Sequence, residues 1–384
     1  VMEHVQGKTL QQVIDQYTEN HTCASFADIG KIGAAIARAA HNLHQQNACH
    51  LDLKPANVLL HPDGHAVLLD FGLSCHAHFP DLLAEELRKA IGSPTWIAPE
   101  QVVGVRGDPR SDIFAIGVML YELATSELPF GNPTTQGGMR QRLWMDPTPP
   151  RQLRPDIPTW LQEIILRCLH PQAALRYPSA AHLAFDLEHS DQVRITARGQ
   201  QLKGTSFWVH FKRWLKAAGM HYHPSPLPSQ QIDEVPIVMV ALPHHDVRDD
   251  TLYSLKQAVA RSLGLRPGAR LAVVTVISPN QSSSSEDDSS ETTLHRQYLT
   301  MQRQWAQGLD LTQHQCSFHV LESGDVAEAL LRYAQGNQVN VIVMGAATHG
   351  VQMQRVIAPV PIKVAMEAPC TVVLVKQTLP FEQL

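Results

Sequence analysis

Asp52, Lys54, Asn57 and Asp70 bring two carboxylates, an ammonium group and a carboxamide into one short stretch, His50-Leu51-Asp52-Leu53-Lys54-Pro55-Ala56-Asn57 followed by Asp70-Phe71-Gly72. A carboxylate orients a hydroxyl for attack, a lysine neutralises a moving anion, and amide and carboxylate oxygens suit a hard cation such as Mg²⁺. Phosphoryl transfer needs this set, because its catalysis rests on positioning and charge neutralisation. The same residue types also cap turns. Against that reading, the apolar runs Val58-Leu59-Leu60 and Ala66-Val67-Leu68-Leu69 read as strands bracketing a turn at Pro62-Asp63-Gly64, a hairpin with its own turn chemistry.

Two helices are expected to position this loop. From Phe26 to Gln46, Ile29, Ile32, Ala35, Ile36, Ala39, Ala40 and Leu43 recur at helical spacing, which predicts an amphipathic helix leading into it. Ser111 to Leu123 is apolar almost all round, the pattern of a helix buried at a domain centre. Its charged residue near the start, Asp112, can accept backbone N–H groups there. Leu128-Pro129-Phe130 is expected to end the helix.

The first stretch resembles the catalytic loop of eukaryotic-type protein kinases, H-R-D-L-K-P-x-N, and the triplet resembles that family's D-F-G. Gly92-Ser93-Pro94-Thr95-Trp96-Ile97-Ala98-Pro99-Glu100 is similar to its G-T-x-x-Y-x-A-P-E, and Val1-Met2-Glu3-His4-Val5 resembles its hinge. By that resemblance Asp52 orients the acceptor hydroxyl, Lys54 faces the γ-phosphate, and Asn57 and Asp70 hold Mg²⁺. Met2 is the gatekeeper, and the main chain of Glu3 and Val5 faces the adenine of ATP. Ser93 takes the place of the threonine that touches the catalytic aspartate, Asp112 braces the catalytic loop, and Arg176 pairs with Glu100. Lys54 favours serine or threonine acceptors. Leu51 replaces the family's arginine, which pairs with an activation-segment phosphate, so control through Ser74, Ser93 or Thr95 is not expected. No glycine-rich loop or lysine-bearing strand precedes the hinge. The expectation is therefore a large lobe alone over residues 1–190, inactive without its small lobe.

Composition sets broad limits. The chain has 384 residues, 44% of them hydrophobic, and a net charge of −5; this allows two or three globular domains and gives no electrostatic reason for a nucleic-acid partner. Six cysteines without a C-x-x-C pair indicate neither a zinc site nor a disulfide framework and suit a reducing cytoplasm. No apolar run reaches the length of a transmembrane helix. The twenty-one histidines include pairs such as His41/His44, His76/His78 and His244/His245, but no carboxylate or cysteine completes a ligand set at a familiar spacing.

Residues 191–232 read as a linker whose stretch Thr205 to Lys216 mixes aromatic and basic residues at near-helical spacing, a helix packing its aromatics on a domain. Beyond it, strand-like Pro236–Leu242, helical Asp249–Leu263, strand-like Leu271–Ile277, strand-like Ser317–Leu321, helical Asp325–Ala334, strand-like Val339–Met344, helical Ile362–Glu367 and strand-like Thr371–Val375 alternate as in a parallel sheet covered on both faces. Ser282 to Glu291 reads as a disordered insertion. The ending, Val343-Met344-Gly345 through Ala368-Pro369-Cys370-Thr371-Val372-Val373-Leu374-Val375, resembles the universal stress protein family. Nucleotide-binding members carry an aspartate after the first strand and a glycine-rich loop before the last helix. Leu242-Pro243 and Ala358-Pro359 stand near those places, so weak or no ATP binding is expected there.

The sequence thus implies a multidomain protein: a mainly helical protein-kinase-like large lobe (1–190), a linker (191–232) and a universal-stress-protein-like α/β parallel-sheet domain (233–379). The expected activity is transfer of the ATP γ-phosphate to protein serine or threonine hydroxyls with Mg²⁺, in the cytoplasm, with homodimerisation through the C-terminal domain. A non-catalytic scaffold and an adenine-nucleotide sensor are the alternatives.

Overall fold

A computed structural model describes residues 5–20, 22–78, 81, 92–205, 208, 213–214, 228, 235–243, 249–264, 267–278, 288–346 and 360–376. The chain divides into two compact units, residues 1–232 and 233–384.

In the first unit a short strand β1 (Lys8–Thr9) leads into α1 (Leu10–Glu19), and α2 (Phe26–Gln45) follows. Ser25 caps α2, accepting the Asp28 N–H at 3.1 Å, as an N-cap serine satisfies an otherwise orphan donor. β2 (Ala48–Cys49), a 3₁₀ turn at Pro55–Asn57, β3 (Val58–Leu60), β4 (Ala66–Leu68) and β5 (Cys75–His76) carry the loop region. β1, β3 and β4 form one small antiparallel sheet, and β2 and β5 another. The expected hairpin is present, with Gly64 supplying the positive φ of +94° at its turn.

α3 (Pro99–Val102) and α4 (Arg110–Thr125) come next, then α5 (Gln136–Arg140), α6 (Pro150–Leu153), α7 (Thr159–Cys168), α8 (Ala180–Glu188) and α9 (Ala197–Gln200). All but three of the sixteen residues of α4 are buried, as its uniform apolarity requires. Its end differs from the expectation: Ser126, left-handed at φ +58°, donates its N–H to the Glu122 carbonyl at 2.7 Å and stops the helix before Pro129. At its centre Gly117 lets α7 approach, because a Cβ there would lie 2.5 Å from the Cβ of Cys168. α2, α4, α7 and α8 enclose the core, with Ile36, Phe114, Ile116, Ile164 and Leu183 fully buried.

The beginning of the expected linker packs on this unit. Glu163 of α7 accepts the N–H groups of Thr196 (2.9 Å) and Gly199 (2.8 Å), and Gln162 donates to the carbonyls of Arg198, Gly199 and Gln201. A buried carboxylate needs such donors, and residues 196–201 therefore belong to the first unit. Most of the expected aromatic and basic helix lies outside the described residues. Its Trp208 and Trp214 are 69% and 50% exposed.

The second unit is a five-stranded all-parallel sheet of β6 (Ile237–Ala241), β7 (Arg270–Ile277), β8 (Gln315–Glu322), β9 (Val341–Gly345) and β10 (Thr371–Val375), in the order β10-β9-β6-β7-β8. β6 and β7 are buried along their whole length, the mark of strands covered on both faces. Among the described residues, α10 (Asp249–Ser262), α11 (Asp288–Ala306), α12 (Val326–Gly336) and α13 (Val360–Glu367) alternate with the strands. α10 ends before Gly264, whose φ is +74°. Gln302 of α11, fully buried, donates to Thr275 Oγ1 (2.9 Å) and the His319 carbonyl (2.8 Å) and fixes that helix to the sheet. α11 corrects one expectation: Asp288 to Glu291, read as part of a disordered insertion, are helical. Leu242 and Pro243 directly follow β6, while Ala358-Pro359 lies outside the described residues. Among the described residues no helix is long and apolar enough to cross a membrane.

Candidate active site

The loop after β2 is held from beneath by one carboxylate. Asp112, in the first turn of α4 and fully buried, accepts the backbone N–H of Leu51 on Oδ1 (2.8 Å) and that of His50 on Oδ2 (2.9 Å), and Oδ2 also meets His44 Nε2 at 2.8 Å. Burial pushes the Asp112 carboxyl upward, and the His44 hydrogen bond, the charges of His44 and His50 and the His50 N–H outweigh it, holding the group below the usual carboxylate range. From the other side Gln101 of α3 donates to the Leu51 carbonyl at 2.9 Å. Leu51 is thereby fixed at φ +64° with its side chain 3% exposed, a left-handed conformation that an ordinary L-residue adopts only at a cost. The apolar side chain confirms that this position offers no cation to a phosphate.

That turn presents Asp52. Its Oδ1 accepts the Ser93 N–H at 2.9 Å, and its Oδ2 takes Lys54 Nζ at 2.8 Å. Lys54 also donates to Ser93 Oγ at 3.2 Å. The expected Ser93 contact is therefore made by the backbone, and the hydroxyl holds the lysine instead. Asn57 directs its amide nitrogen to the Asp52 carbonyl at 3.0 Å, leaving Oδ1 as the end that could face a cation. Leu69 donates to the Asn57 carbonyl (2.8 Å) and accepts from His50 Nε2 (2.9 Å), which ties Asp70 to the same loop. Asp70 is exposed at φ +61°, with the Gly72 N–H on Oδ1 at 3.2 Å. The ring of Phe71 lies 5.1 Å from that of His50. Asp52, Lys54, Asn57 and Asp70 thus share one framework, and the oxygens of Asn57 and Asp70 are donors of the type a hard cation prefers.

Of the expected nucleotide contacts, Met2 and Glu3 lie outside the described residues. Val5 is half-buried. Two residues on, Gly7 passes so close to β3 that a Cβ would collide with the Leu60 carbonyl, and Lys8 pairs with Leu60. The hinge-like segment is thereby joined to the strand that starts directly after Asn57.

Glu100 and Arg176 form the expected pair, bidentate at 2.7 and 2.8 Å and buried on both sides, with Ser111 Oγ on the same carboxylate at 2.7 Å. Of the hydroxyls considered as phosphate acceptors, Thr95 is 5% exposed and donates to Asn132 Oδ1 (3.0 Å), so it is sealed in the fold. Ser74, half-buried, donates to the Phe71 carbonyl at 2.6 Å.

Sequence reasoning missed three positioning residues. Gln101 carried a weak signal, following Pro99-Glu100 as a helix-start glutamine and accepting the Ala98 N–H at 3.0 Å. Arg142 gave none: its fully buried guanidinium donates to the carbonyls of Pro94 and Ile97, and burial lowers its pKa to about 10. Arg106 donates to Leu73 O (2.7 Å) and pairs with Asp81 (2.6 Å), fastening the segment that follows Asp70. The fold also completes one donor set that the linear spacing hid, His44, Cys49 and Asp112, and brings together His61, Asp63 and His65, which lie within five residues. In the first set the Asp112 oxygens already hold the catalytic loop.

The family model of the protein kinase domain matches residues 1–186, and that of the universal stress protein family matches residues 241–376. A probable serine/threonine-protein kinase of Clostridium acetobutylicum is 31% identical over 189 residues, 49% of this chain and 28% of that protein. The serine/threonine-protein kinase PknB of Mycolicibacterium smegmatis is 30% identical over 189 residues (49% and 29%). A DNA damage-responsive serine/threonine-protein kinase, RqkA, of Deinococcus radiodurans is 34% identical over 179 residues (44% and 26%). The matched stretch is less than a third of the length of each of these relatives.

Proposed function

Because this chain joins a protein kinase domain to a universal stress protein domain, we propose that it belongs to a serine/threonine protein kinase that moves the γ-phosphate of ATP to protein hydroxyls. The reading rests on one observation above others: Asp52 is held between the Ser93 N–H and Lys54, with Asn57 bonded to its backbone. Asp52 orients the acceptor hydroxyl and receives its proton, and Lys54 carries the charge that meets the transferred group. Asn57 and Asp70 hold Mg²⁺, which when bound neutralises the phosphate oxygens. Met2 and the main chain of Glu3 and Val5 take the adenine. The six cysteines, all thiols, support a cytoplasmic setting. In the full-length protein as its gene encodes it, Asp52→Asn and Asp70→Asn each lower Mg-ATP-dependent phosphorylation of a serine-bearing protein by about 10³-fold or more, with unchanged circular dichroism. Activity retained in both variants would remove the assignment.

A second reading concerns the stress-protein unit, for which we infer self-association through β10. Among the described residues that strand ends the sheet, and an edge strand's outer backbone groups can pair with a second copy. Leu374 on it and Ile362 and Met366 on α13 are 41%, 48% and 81% exposed. Sedimentation at tens of micromolar protein gives a dimer, and Leu374→Lys gives a monomer; a monomer without the substitution would refute this.

A further inference from the structure

Cys49 and Cys75 stand directly opposite one another on the antiparallel ladder of β2 and β5. β2 runs straight into His50 of the catalytic loop, and β5 follows Asp70-Phe71-Gly72. We propose that this pair is an oxidant-sensitive modification site, converted by hydrogen peroxide into a disulfide that staples the start of the activation segment to the catalytic loop.

Register partners on an antiparallel ladder have Cα atoms about 4.5–5.5 Å apart, inside the window of about 4.4–6.8 Å that a disulfide needs. Residues directly opposite on an antiparallel ladder carry their side chains on the same face, so the register of Cys49 with Cys75 puts both sulfurs on one side of the ladder. The pairing continues at the next residues, where Ala77 donates to the Asn47 carbonyl at 2.9 Å, and Arg106 holds Leu73 just ahead of β5. Little movement is needed to close the bond.

The two sulfurs differ in the way a sensing pair requires. Cys49 is 1% exposed, whereas Cys75 is partly open. The neighbouring Cys49 side chain lowers the Cys75 thiol, burial opposes this, and the Arg106 charge adds to the lowering. Cys75 is therefore the thiolate that an oxidant meets first. Its sulfur attacks one peroxide oxygen, the O–O bond breaks, and water leaves with a sulfenic acid formed. Cys49 sulfur then attacks Cys75 sulfur: the S–S bond forms, the S–O bond breaks, and the departing hydroxide takes the Cys49 proton as water. Two thiols are oxidised and one peroxide is reduced to two waters. The closed loop contains Asp52, Lys54, Asn57 and Asp70, so the bond restrains every catalytic group at once.

The full chain, exposed to hydrogen peroxide, alkylated and digested without reductant, yields one Cys49–Cys75 linked peptide and loses two of its six thiols. Its melting temperature rises by about 5 °C, as a loop of this length allows, and dithiothreitol reverses both changes. Cys75→Ser abolishes the link and the rise, while Cys49→Ser leaves a sulfenic acid at Cys75 that dimedone captures. Should Cys75→Ser fold poorly, the linked peptide of the unsubstituted chain still decides. Full alkylation of Cys49 and Cys75 after peroxide, bonds formed through Cys23 instead, or the same thermal shift in Cys75→Ser would overturn the proposal.

Discussion

Asp112→Asn keeps the size of the side chain and removes one acceptor oxygen and the charge. In the native fold the two oxygens serve Leu51 N–H, His50 N–H and His44 Nε2, all within 2.9 Å and shielded from water. Asparagine has one acceptor oxygen, and its NH₂ must face at least one of these donors. A hydrogen bond to an ionised acceptor contributes about 1.5–3 kcal/mol, and a stranded buried donor costs about 1–3 kcal/mol. Losing one and stranding another gives about 3–5 kcal/mol, or about 10 °C in melting temperature for a domain of this size. Leu51 then loses one of the two bonds that hold its φ of +64°, and Asp52 moves with it. A displacement of about 1 Å at a reacting group costs about 10²-fold, so kcat falls by that factor while KM for ATP stays within a few-fold. The pH dependence has a fixed sign. Asp112 titrates below its unfolded value, so its stabilisation is present above the ordinary carboxylate pKa and is lost as pH falls through the lower folded one. The gap between native and variant chains, followed by urea unfolding, therefore narrows only in acid. A melting temperature within about 2 °C of native, with kcat unchanged, would refute this reasoning.

Two further outcomes are expected. Glu100→Gln leaves buried Arg176 without its carboxylate and lowers unfolding free energy by about 3–5 kcal/mol; adding Arg176→Met restores part of the loss, and strict additivity of the two in urea unfolding would show that they are not coupled. His41 is buried with neither ring nitrogen hydrogen-bonded among the described residues, and burial together with the His44 charge lowers its pKa from 6.5 to about 4. Its neutral form is stable above pH 6.5 and stability is lost as pH falls toward 4, so His41→Leu removes about 2 kcal/mol of the loss between pH 7 and 5, and equal losses in both chains would contradict it.

What could be read from sequence was what lies close together along the chain. Asp52, Lys54 and Asn57 fall within six residues, and the hairpin that follows them is set by Gly64 and the apolar runs on either side of it. Helix α2 was legible to within one residue because its apolar stripe repeats at helical spacing. The β-α alternation from 237 to 375 was legible because buried parallel strands read as continuous apolar runs. Arg142 was not legible, since a lone arginine near Leu143 and Trp144 looks like any surface charge, and its burial follows from carbonyls more than forty residues away. The burial of Thr95 likewise depends on Asn132. Cys49 and Cys75 read as scattered because a ladder rung joins residues that no linear spacing rule connects.

Gly117 lies near the centre of α4, five residues and roughly 7.5 Å of helix beyond Asp112. Apolar carbons rest about 3.5–4 Å apart, so a methyl group placed 2.5 Å from Cys168 Cβ would push α4 away from α7 by about 1 Å. Nothing between that contact and Asp112 could absorb the shift, because the intervening helix is packed on all sides. The catalytic loop would be carried along with the helix that anchors it. The rate of the proposed reaction would thus be sensitive to a hydrogen atom, the whole side chain of Gly117, at a position remote from Asp52 along the chain.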